Sequence, residues 1–231
     1  HLKLDRPITF QAGQYINLEL PGIEGSRAFS LANPPSSADE IELHVRLVDG
    51  GAATTYIHEQ LKAGDAVDVS GPYGQFFVRS SQPGNLIFIA GGSGLSSPQS
   101  MILDLLAQGD ERKITLFQGA RNSAELYNRE LFEQLAAEHT NFSYVPALSQ
   151  AADDADWAGF RGYVHDAAKL HFDNRFNDHK AYLCGPPPMI DAAITALMQG
   201  RLFERDIFME RFLTAADGAE DTQRSALFKR I

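Results

Sequence analysis

The chain has 231 residues, of which 44% are hydrophobic and 22% charged, and its formal net charge is −10. This composition excludes a disordered chain, and the length suits one large or two ordinary domains. The negative charge argues against nucleic acid and anionic membranes as partners, and the longest apolar run, residues 86–90, is too short to span a bilayer.

The first part of the chain has the pattern of a small antiparallel β domain. Short apolar runs between turn residues predict four strands, in residues 14–20, 27–33, 40–48 and 65–74. The stretch "TTYIHEQL" predicts one short helix in residues 54–61, since its apolar positions share a face and Gly64 follows its end. Short strands separated by Gly and Pro are typical of an antiparallel barrel.

From Asn85 onward, predicted strands alternate with predicted helices. The strands are "LIFIA", "KITLFQGA", "NFSYVPAL", "KAYLC" and "DIFMERF", and the helices are "PQSMILDLLAQ", "AELYNRELFEQLAAE" and "PPMIDAAITALMQ". This alternation implies right-handed crossovers and a parallel sheet. The sequence therefore predicts two domains, residues 1–80 and 81–231, with a boundary in "RSSQPG" at residues 79–84.

Two loops follow strands of the predicted parallel sheet, where such sheets bind ligands. The loop "GGSGLSS", residues 91–97, leads into a helix that Pro98 can start, and its glycines beside a helix N-terminus suit a pyrophosphate. The alternative is a tight turn, and the loop departs from G-x-G-x-x-G because Ser97 holds the third glycine position. The other loop follows Cys184, which by default is a small core residue.

Arg27 lies in a predicted half-buried strand, where an arginine needs a carboxylate or phosphate partner. Downstream, "GGAATT" at residues 50–55 opens the short helix and offers a second anion site. An arginine and a helix start that converge on one anion predict a second phosphorylated cofactor, on whose rings Phe29 would stack. By default Phe29 is a core residue and Ser30 a turn former. Two nucleotide sites on adjoining domains predict electron transfer between two cofactors.

The motifs taken together resemble those of the ferredoxin–NADP reductase superfamily, in the same order along nearly the whole chain. They are Arg27-x-Phe29-Ser30, Gly51-x-x-Thr54, "GPYG", "GGSG", "CGPP" and "ERF". Longer stretches such as "RAFSLANPP" and "GGSGLSSPQSMILDLL" resemble the reductase components of bacterial multicomponent phenol hydroxylases. The resemblance implies a Greek-key β-barrel that binds FAD, followed by a doubly wound α/β domain that binds NAD.

The resemblance also implies partners. Relatives carry a [2Fe–2S] ferredoxin domain before the flavin domain, and we expect that domain, together with the first strand of the barrel, to be missing from this chain. The expected acceptor of the electrons is the hydroxylase (oxygenase) component. One cysteine excludes an internal disulfide and a four-cysteine cluster and fits a reduced, cytoplasmic location.

For the flavin, the resemblance implies a pyrophosphate held by Arg27 and by backbone N–H groups of residues 51–55. Phe29, where relatives have tyrosine, would stack on the isoalloxazine ring, and Ser30 would hydrogen-bond near its N5. Phe212 would cover the other face and yield to the nicotinamide. The implied contacts are Arg27, Ala28, Phe29, Ser30, His44, Val45, Arg46, Gly51, Ala52, Ala53, Thr54 and Thr55.

For the nicotinamide cofactor, the resemblance implies a pyrophosphate held by "GGSG" and a thiol beside C4 of the ring. The implied contacts are Gly92, Ser93, Gly94, Gly119, Arg121, Cys184, Gly185 and Pro186, and the implied catalytic residues are Ser30, Cys184, Glu210 and Phe212. The resemblance points to NADH. Glu125 follows Arg121 closely and would repel a 2′-phosphate, although Arg121 keeps NADPH as an alternative.

Two other functions remain as alternatives. A free-flavin reductase would use flavin as a substrate, but the anchors at Arg27 and residues 51–54 favour bound flavin. An oligonucleotide-binding barrel would need basic and aromatic faces, which the net charge of −10 and the second domain oppose. The seven histidines lack the spacing of metal ligands, so no metal site is predicted.

Overall fold

The computed structural model describes residues 1–37, 39–80, 82–151 and 156–212. The C-terminal tail, residues 213–231, to which the sequence assigns no role, lies outside the described residues. The described strands are β1 (Leu2–Lys3), β2 (Tyr15–Glu19), β3 (Arg27–Ser30), β4 (Glu40–Ile41), β5 (Asp68–Tyr73), β6 (Asn85–Gly91), β7 (Ile114–Ala120), β8 (Phe142–Leu148), β9 (Phe160–Arg161), β10 (His179–Gly185) and β11 (Ile207–Arg211). The described α-helices are α1 (Ala52–Glu59), α2 (Ser96–Ala107), α3 (Arg129–Glu138), α4 (Val164–His171) and α5 (Pro187–Gln199).

The N-terminal part consists of antiparallel strands around a small core, as predicted. Strands β3, β2 and β5 form one sheet in that order, and β1 pairs with β4 in another. Alternate residues of β2, Ile16 and Leu18, point into the core, where Ile41 and Ala53 also lie. The expected strand at 40–48 is wrong beyond Ile41: the chain makes one isolated bridge at Leu43 and then follows the wall of a cleft.

The C-terminal part is a parallel sheet with the strand order β11-β10-β6-β7-β8-β9, which confirms the doubly wound prediction. The chain enters at β6 in the middle, moves outward to β9, and returns to β10 on the other side of β6. The order therefore reverses between β6 and β10. At such a switch point the loops after neighbouring strands diverge and leave a crevice for a ligand.

Helices cover both faces of this sheet. Leu86 and Phe88 of β6 pack in the same core as α2 and α3, whereas Ile87 and Ile89 pack with α4 and α5. The sequence did not predict β9 and α4. Three expected helix starts are also wrong. Helix α1 begins at Ala52 rather than at residue 54, and α2 begins at Ser96 after a 3-10 turn rather than at Pro98. Helix α3 begins at Arg129 because Asn128 adopts a left-handed backbone, φ 56°.

The two parts pack directly on each other. Ala12 and Phe76 from the first part share one buried cluster with Met101 and with Tyr182 of β10. The hydroxyl of Ser100 on α2 donates to the carbonyl of Asn33 at 2.7 Å, although both groups are buried. These contacts hold the two parts of the chain against each other. Within the described ranges, no helix combines the length and hydropathy needed to cross a membrane.

Candidate functional site

A cleft of about 780 Å³ lies between the two parts, at the switch point of the parallel sheet. The N-terminal part lines it with Tyr15, Ala28, Phe29, Ser30, His44, Arg46, Leu47, Val48, Asp49 and Thr54. The C-terminal part contributes Gly91, Gly92, Ser93, Ser96, Pro186, Pro187, Pro188, Glu210, Arg211 and Phe212. The cleft therefore lies where the sequence predicts a ligand, beyond the carboxyl ends of β6, β10 and β11.

Three of the four predicted catalytic residues meet at one carboxylate oxygen. Oε2 of Glu210 is 3.4 Å from the hydroxyl of Ser30 and 3.9 Å from the thiol of Cys184. The hydroxyl of Ser97 also donates to it, at 3.2 Å. Burial raises the pKa of Glu210, and the hydrogen bonds from Ser97, Ser30 and Cys184 oppose that rise. Glu210 is thus an acceptor held from three sides at the cleft wall.

Strand register brings Cys184 and Glu210 together. In the ladder Cys184 of β10 lies opposite Glu210 of β11 on one side and Ala90 of β6 on the other. Gly94 allows the glycine loop, residues 91–94, to approach this point: a Cβ there would lie 2.5 Å from the carbonyl oxygen of Cys184. Gly185, with φ +149°, ends β10 in a conformation that side chains rarely adopt.

Cys184 is fully buried and does not line the cleft. Burial, together with the charge of Glu210, raises the pKa of its thiol well above the usual range. A buried neutral thiol is a poor nucleophile. Cys184 is therefore both a core residue and a hydrogen-bond donor, and it reaches the cleft through Glu210.

Arg27 departs from its expected environment. It is exposed rather than half-buried, although Leu18, its partner across the ladder in β2, is buried. Its guanidinium donates to the carbonyls of Ser26 at 3.0 Å and Glu24 at 3.2 Å, and it does not line the cleft. The next three residues, Ala28 to Ser30, do line it. Arg27 thus lies at the rim of the cleft, and the N–H groups of its guanidinium could also donate to an anion there.

The start of α1 faces the same cleft through Thr54. Gly51 precedes the helix, and Thr54 donates to its carbonyl at 3.0 Å while accepting from the N–H of Val48 at 3.2 Å. A Cβ at residue 51 would lie 2.7 Å from the Thr54 hydroxyl oxygen, so glycine is required there. Ala53 is buried in the core and offers only its backbone. As at any helix start, the N–H groups of the first turn have no intrahelical acceptor.

His44 is held between the two parts by polar contacts. Its Nε2 lies 2.7 Å from Glu42 and its Nδ1 3.2 Å from the hydroxyl of Tyr127, which in turn donates to the carbonyl of Gly92 at 3.1 Å. Gln99 of α2 donates to the same oxygen of Glu42 at 3.3 Å. The sequence did not predict Tyr127, Glu42 and Gln99 as site residues, since no local pattern marks residues that meet only in the folded chain.

The remaining predicted contacts lie away from the cleft lining. Arg121 and Glu125 form an ion pair at the end of β7, and the Arg121 guanidinium lowers the pKa of Glu125. Gly119 accommodates α4, because a Cβ there would lie 3.0 Å from Val164. The carbonyl of Val45 accepts from His58 of α1 at 2.9 Å.

The cleft offers hydrogen-bond donors and apolar faces of the kind that nucleotide cofactors need. The glycine loop and the start of α1 offer backbone N–H groups on opposite walls, and Phe29 and Phe212 offer apolar faces. The backbone of Phe212 is held by its N–H, which donates to the carbonyl of Gly185 at 3.0 Å. Within the described part of the chain, no group of three or more His, Cys, Asp or Glu residues could hold a metal ion.

Comparison with protein families gives two matches that together cover most of the chain. Residues 1–78 match the oxidoreductase FAD-binding domain and residues 88–195 match the oxidoreductase NAD-binding domain. The first covers the strands that carry Ser30 and the start of α1. The second covers β6 and β10 with the loops that follow them.

The chain is also similar to individual proteins. It is 80% identical over 231 residues to the reductase component of phenol 2-monooxygenase from Pseudomonas sp. (strain CF600) and 67% identical over 230 residues to the phenol hydroxylase P5 protein of Acinetobacter pittii (strain PHEA-2). In both comparisons all of this chain is covered, and it spans 65% of the relative's length. A solved structure, the Amycolatopsis cytochrome P450 reductase, superposes with a TM-score of 0.84 at 36% identity, over 91% of this chain and 63% of the other.

Proposed function

Because the chain belongs to the FAD- and NAD-binding oxidoreductases of the ferredoxin reductase type, we propose that it transfers a hydride from NADH to FAD and delivers the electrons to a phenol hydroxylase. In this proposal the electrons leave singly, through a [2Fe–2S] ferredoxin domain joined to the same polypeptide, to the oxygenase component. The 80% identity to a phenol 2-monooxygenase reductase component supports this assignment. We also propose a domain division at residues 79–84 and a cytoplasmic location.

The convergence of Ser30 and Cys184 on Glu210 carries the proposal. The three residues come from the two parts of the chain, so the cluster exists only where the two nucleotide sites would meet. When bound, FAD supplies an acceptor for a hydride and can release electrons one at a time. The chain's own residues then need only bind, orient and exclude water, and transfer requires donor and acceptor atoms about 3–3.5 Å apart.

The role that we propose for each residue follows from its position in the cleft. Phe29 and Phe212 would enclose the flavin ring, with Phe212 moving aside for the nicotinamide. The Ser30 hydroxyl donates a hydrogen bond to Glu210, so its oxygen would still be able to accept a hydrogen bond from the edge of the flavin ring. The glycine loop and the start of α1 would each hold one pyrophosphate, and Arg46, which is exposed in the cleft wall, adds positive charge between them. None of these roles requires a metal ion.

The test is anaerobic reduction of the purified chain by NADH. We expect a yellow protein whose flavin absorbance bleaches on addition of NADH, because FAD is bound rather than used as a free substrate. A colourless protein that reduces added flavin would instead identify a free-flavin reductase. A protein that neither binds nor reduces flavin would contradict the proposed function altogether.

The same assay with NADPH tests cofactor choice. We expect kcat/KM to be about tenfold higher for NADH, a difference of about 1.4 kcal/mol, because Glu125 already occupies Arg121 and repels a 2′-phosphate. Glu125→Gln should improve kcat/KM for NADPH several-fold. The control is Glu133→Gln, which removes the carboxylate of another exposed pair, with Arg129. A higher kcat/KM with NADPH in the unaltered chain would overturn the preference.

Arg27 provides a test of the flavin pyrophosphate site. We expect Arg27→Ala to weaken FAD binding about tenfold, since the phosphate would lose a charge-assisted hydrogen bond at a solvent-exposed rim. FAD affinity can be measured by flavin fluorescence on titration into apoprotein. Arg175→Ala, at another exposed arginine outside the cleft lining, is the control. Unchanged affinity in Arg27→Ala would contradict the assignment.

A further inference from the structure

The N-terminal end of α2 carries four buried polar side chains. Ser96, Ser97, Gln99 and Ser100 are each at most 2% exposed, although serine and glutamine usually lie at the surface. All four side chains donate hydrogen bonds. Their acceptors lie in three places: the glycine loop, β11 and the segment that follows β3. The start of α2 therefore connects three segments that are far apart in the sequence.

Two of these side chains hold the C-terminal side of the cleft. The hydroxyl of Ser96 donates to the carbonyl of Ser93 in the glycine loop. The hydroxyl of Ser97 donates to Oε2 of Glu210 at 3.2 Å. The start of α2 thus holds both the glycine loop and the carboxylate on which Ser30 and Cys184 converge.

The other two side chains hold the N-terminal part. Gln99 donates to the carbonyl of Ala32 at 3.4 Å, and Ser100 donates to the carbonyl of Asn33 at 2.7 Å. Consecutive residues of the helix therefore meet consecutive carbonyls of the other part, and a shift by one residue would break both hydrogen bonds. Ala32 lies two residues after Ser30, so the position of Ser30 in the cleft wall depends on this contact.

The segment that α2 contacts is itself tied together. The side chain of Asn33 accepts from the N–H of Glu42 at 2.8 Å and donates to the carbonyls of Glu40 at 3.0 Å and Ser37 at 3.1 Å. The N–H of Ala32 also donates to the carbonyl of Glu42, at 2.9 Å. Because these bonds join the end of β3 to the chain that returns through β4, both should move together when their contact with α2 changes.

We propose that Gln99 and Ser100 are positioning residues for hydride transfer, which set the placement of Ser30 relative to Glu210 across the cleft. The inference rests on the proposed function, in which that pair lies beside the reacting atoms. Ser30 and Glu210 come from different parts of the chain and are 3.4 Å apart. Ser97 holds Glu210, while Gln99 and Ser100 hold the segment after Ser30. Neither Gln99 nor Ser100 lines the cleft, so their loss should change the alignment of the two cofactors and not the contacts of either.

The test compares the rate of flavin reduction with the affinity for each cofactor. Gln99→Met keeps the length of the side chain without its hydrogen bonds, and Ser100→Ala removes the hydroxyl. We expect each variant to slow reduction of bound FAD at saturating NADH about tenfold, because a displacement of about 1 Å costs roughly a hundredfold and each variant keeps the other contact. The affinity for FAD, from flavin fluorescence on titration into apoprotein, and for NAD⁺, from calorimetry, should be unchanged. Residual dipolar couplings of the apoprotein should show a changed orientation between the two parts.

Tyr144→Phe is the matched control, because it removes a partly buried hydroxyl whose hydrogen bond to Gln118 lies within the C-terminal part. It should keep the rate, both affinities and the orientation. Ser100→Cys keeps a small donor facing Asn33 and should retain more of the rate than Ser100→Ala. If Gln99→Met and Ser100→Ala both keep the unaltered rate, or lose rate only in proportion to cofactor affinity, this inference alone is wrong. An unaltered chain that neither binds nor reduces flavin would overturn the proposed function and this inference with it.

Discussion

Replacing Cys184 with alanine is expected to slow the reduction of bound FAD by NADH about a hundredfold while leaving FAD content nearly unchanged. Cys184 is one of three donors that hold the Glu210 carboxylate in place, so its loss should shift that carboxylate in the cleft wall. A displacement of about 1 Å at a reacting centre lowers the rate roughly a hundredfold. The thiol is buried and has a raised pKa, so no nucleophilic role is lost with it. Single-turnover stopped-flow bleaching of the flavin by NADH measures the effect.

Two further variants separate this role from core packing. Cys184→Ser keeps a donor of similar size facing Glu210 and should retain more of the rate than alanine does. Glu210→Gln keeps the shape but replaces an acceptor-only group with an amide, so Ser30 and Ser97 no longer have the same acceptor. It should slow reduction at least as much as Cys184→Ala. An unchanged single-turnover rate in Cys184→Ala would show that Cys184 is only a core residue.

The cluster at Glu210 could be predicted in part from the sequence. Cys184 and Glu210 end neighbouring strands, and the family motifs point to both, so their meeting follows from a parallel sheet. Ser97 carried one visible signal, a hydroxyl where a third glycine is usual, but its contact with Glu210 depends on how α2 approaches β11. Local patterns identify the ends of strands but not which helix N-terminus packs over them.

The errors have a common physical origin. In the segment after Ile41, apolar and polar residues alternate as they do in a strand. The polar residues His44 and Arg46 line the cleft, and the segment does not continue as a strand paired with a neighbouring strand. Arg27 was expected to be half-buried because it lies on a strand of a packed sheet, but the side chain at this first position of β3 is exposed whereas Ser30 at its last position is buried. In both cases the alternation of apolar and polar residues indicates which side chains share a face, but it does not indicate whether another part of the chain covers that face.

Helix α4 was missed for a different reason. It is eight residues long, and its buried apolar residues, Val164, Ala167 and Ala168, are few and small among charged neighbours. Its position is set by close packing, since Gly119 leaves room for Val164 against β7. A short helix that depends on such contacts has little intrinsic stability of its own, so its sequence carries a weak signal.

The proposed function has two halves, oxidation of NADH and delivery of electrons to an oxygenase, and we expect residues 1–231 to perform the first without the second. Residues 1–231 contain one cysteine, whereas a plant-type [2Fe–2S] cluster needs four thiolate ligands. We therefore expect this chain to oxidise NADH with ferricyanide as acceptor yet to support no phenol hydroxylation when mixed with the oxygenase component. Ferricyanide reduction and product formation from phenol, measured on the same preparation, give the two readouts.

Addition of a ferredoxin domain should couple NADH oxidation to phenol hydroxylation. A ferredoxin domain tethered before residue 1 would be present at an effective concentration of about a millimolar, so hydroxylation should return with it and return less with the same domain added free at micromolar concentration. The matched control is the tethered protein with Cys184→Ala, in which hydroxylation and ferricyanide reduction should fall together because both depend on the flavin. Hydroxylation supported by residues 1–231 alone would show that electrons leave the flavin directly, and the relay through an iron–sulfur domain would then be wrong.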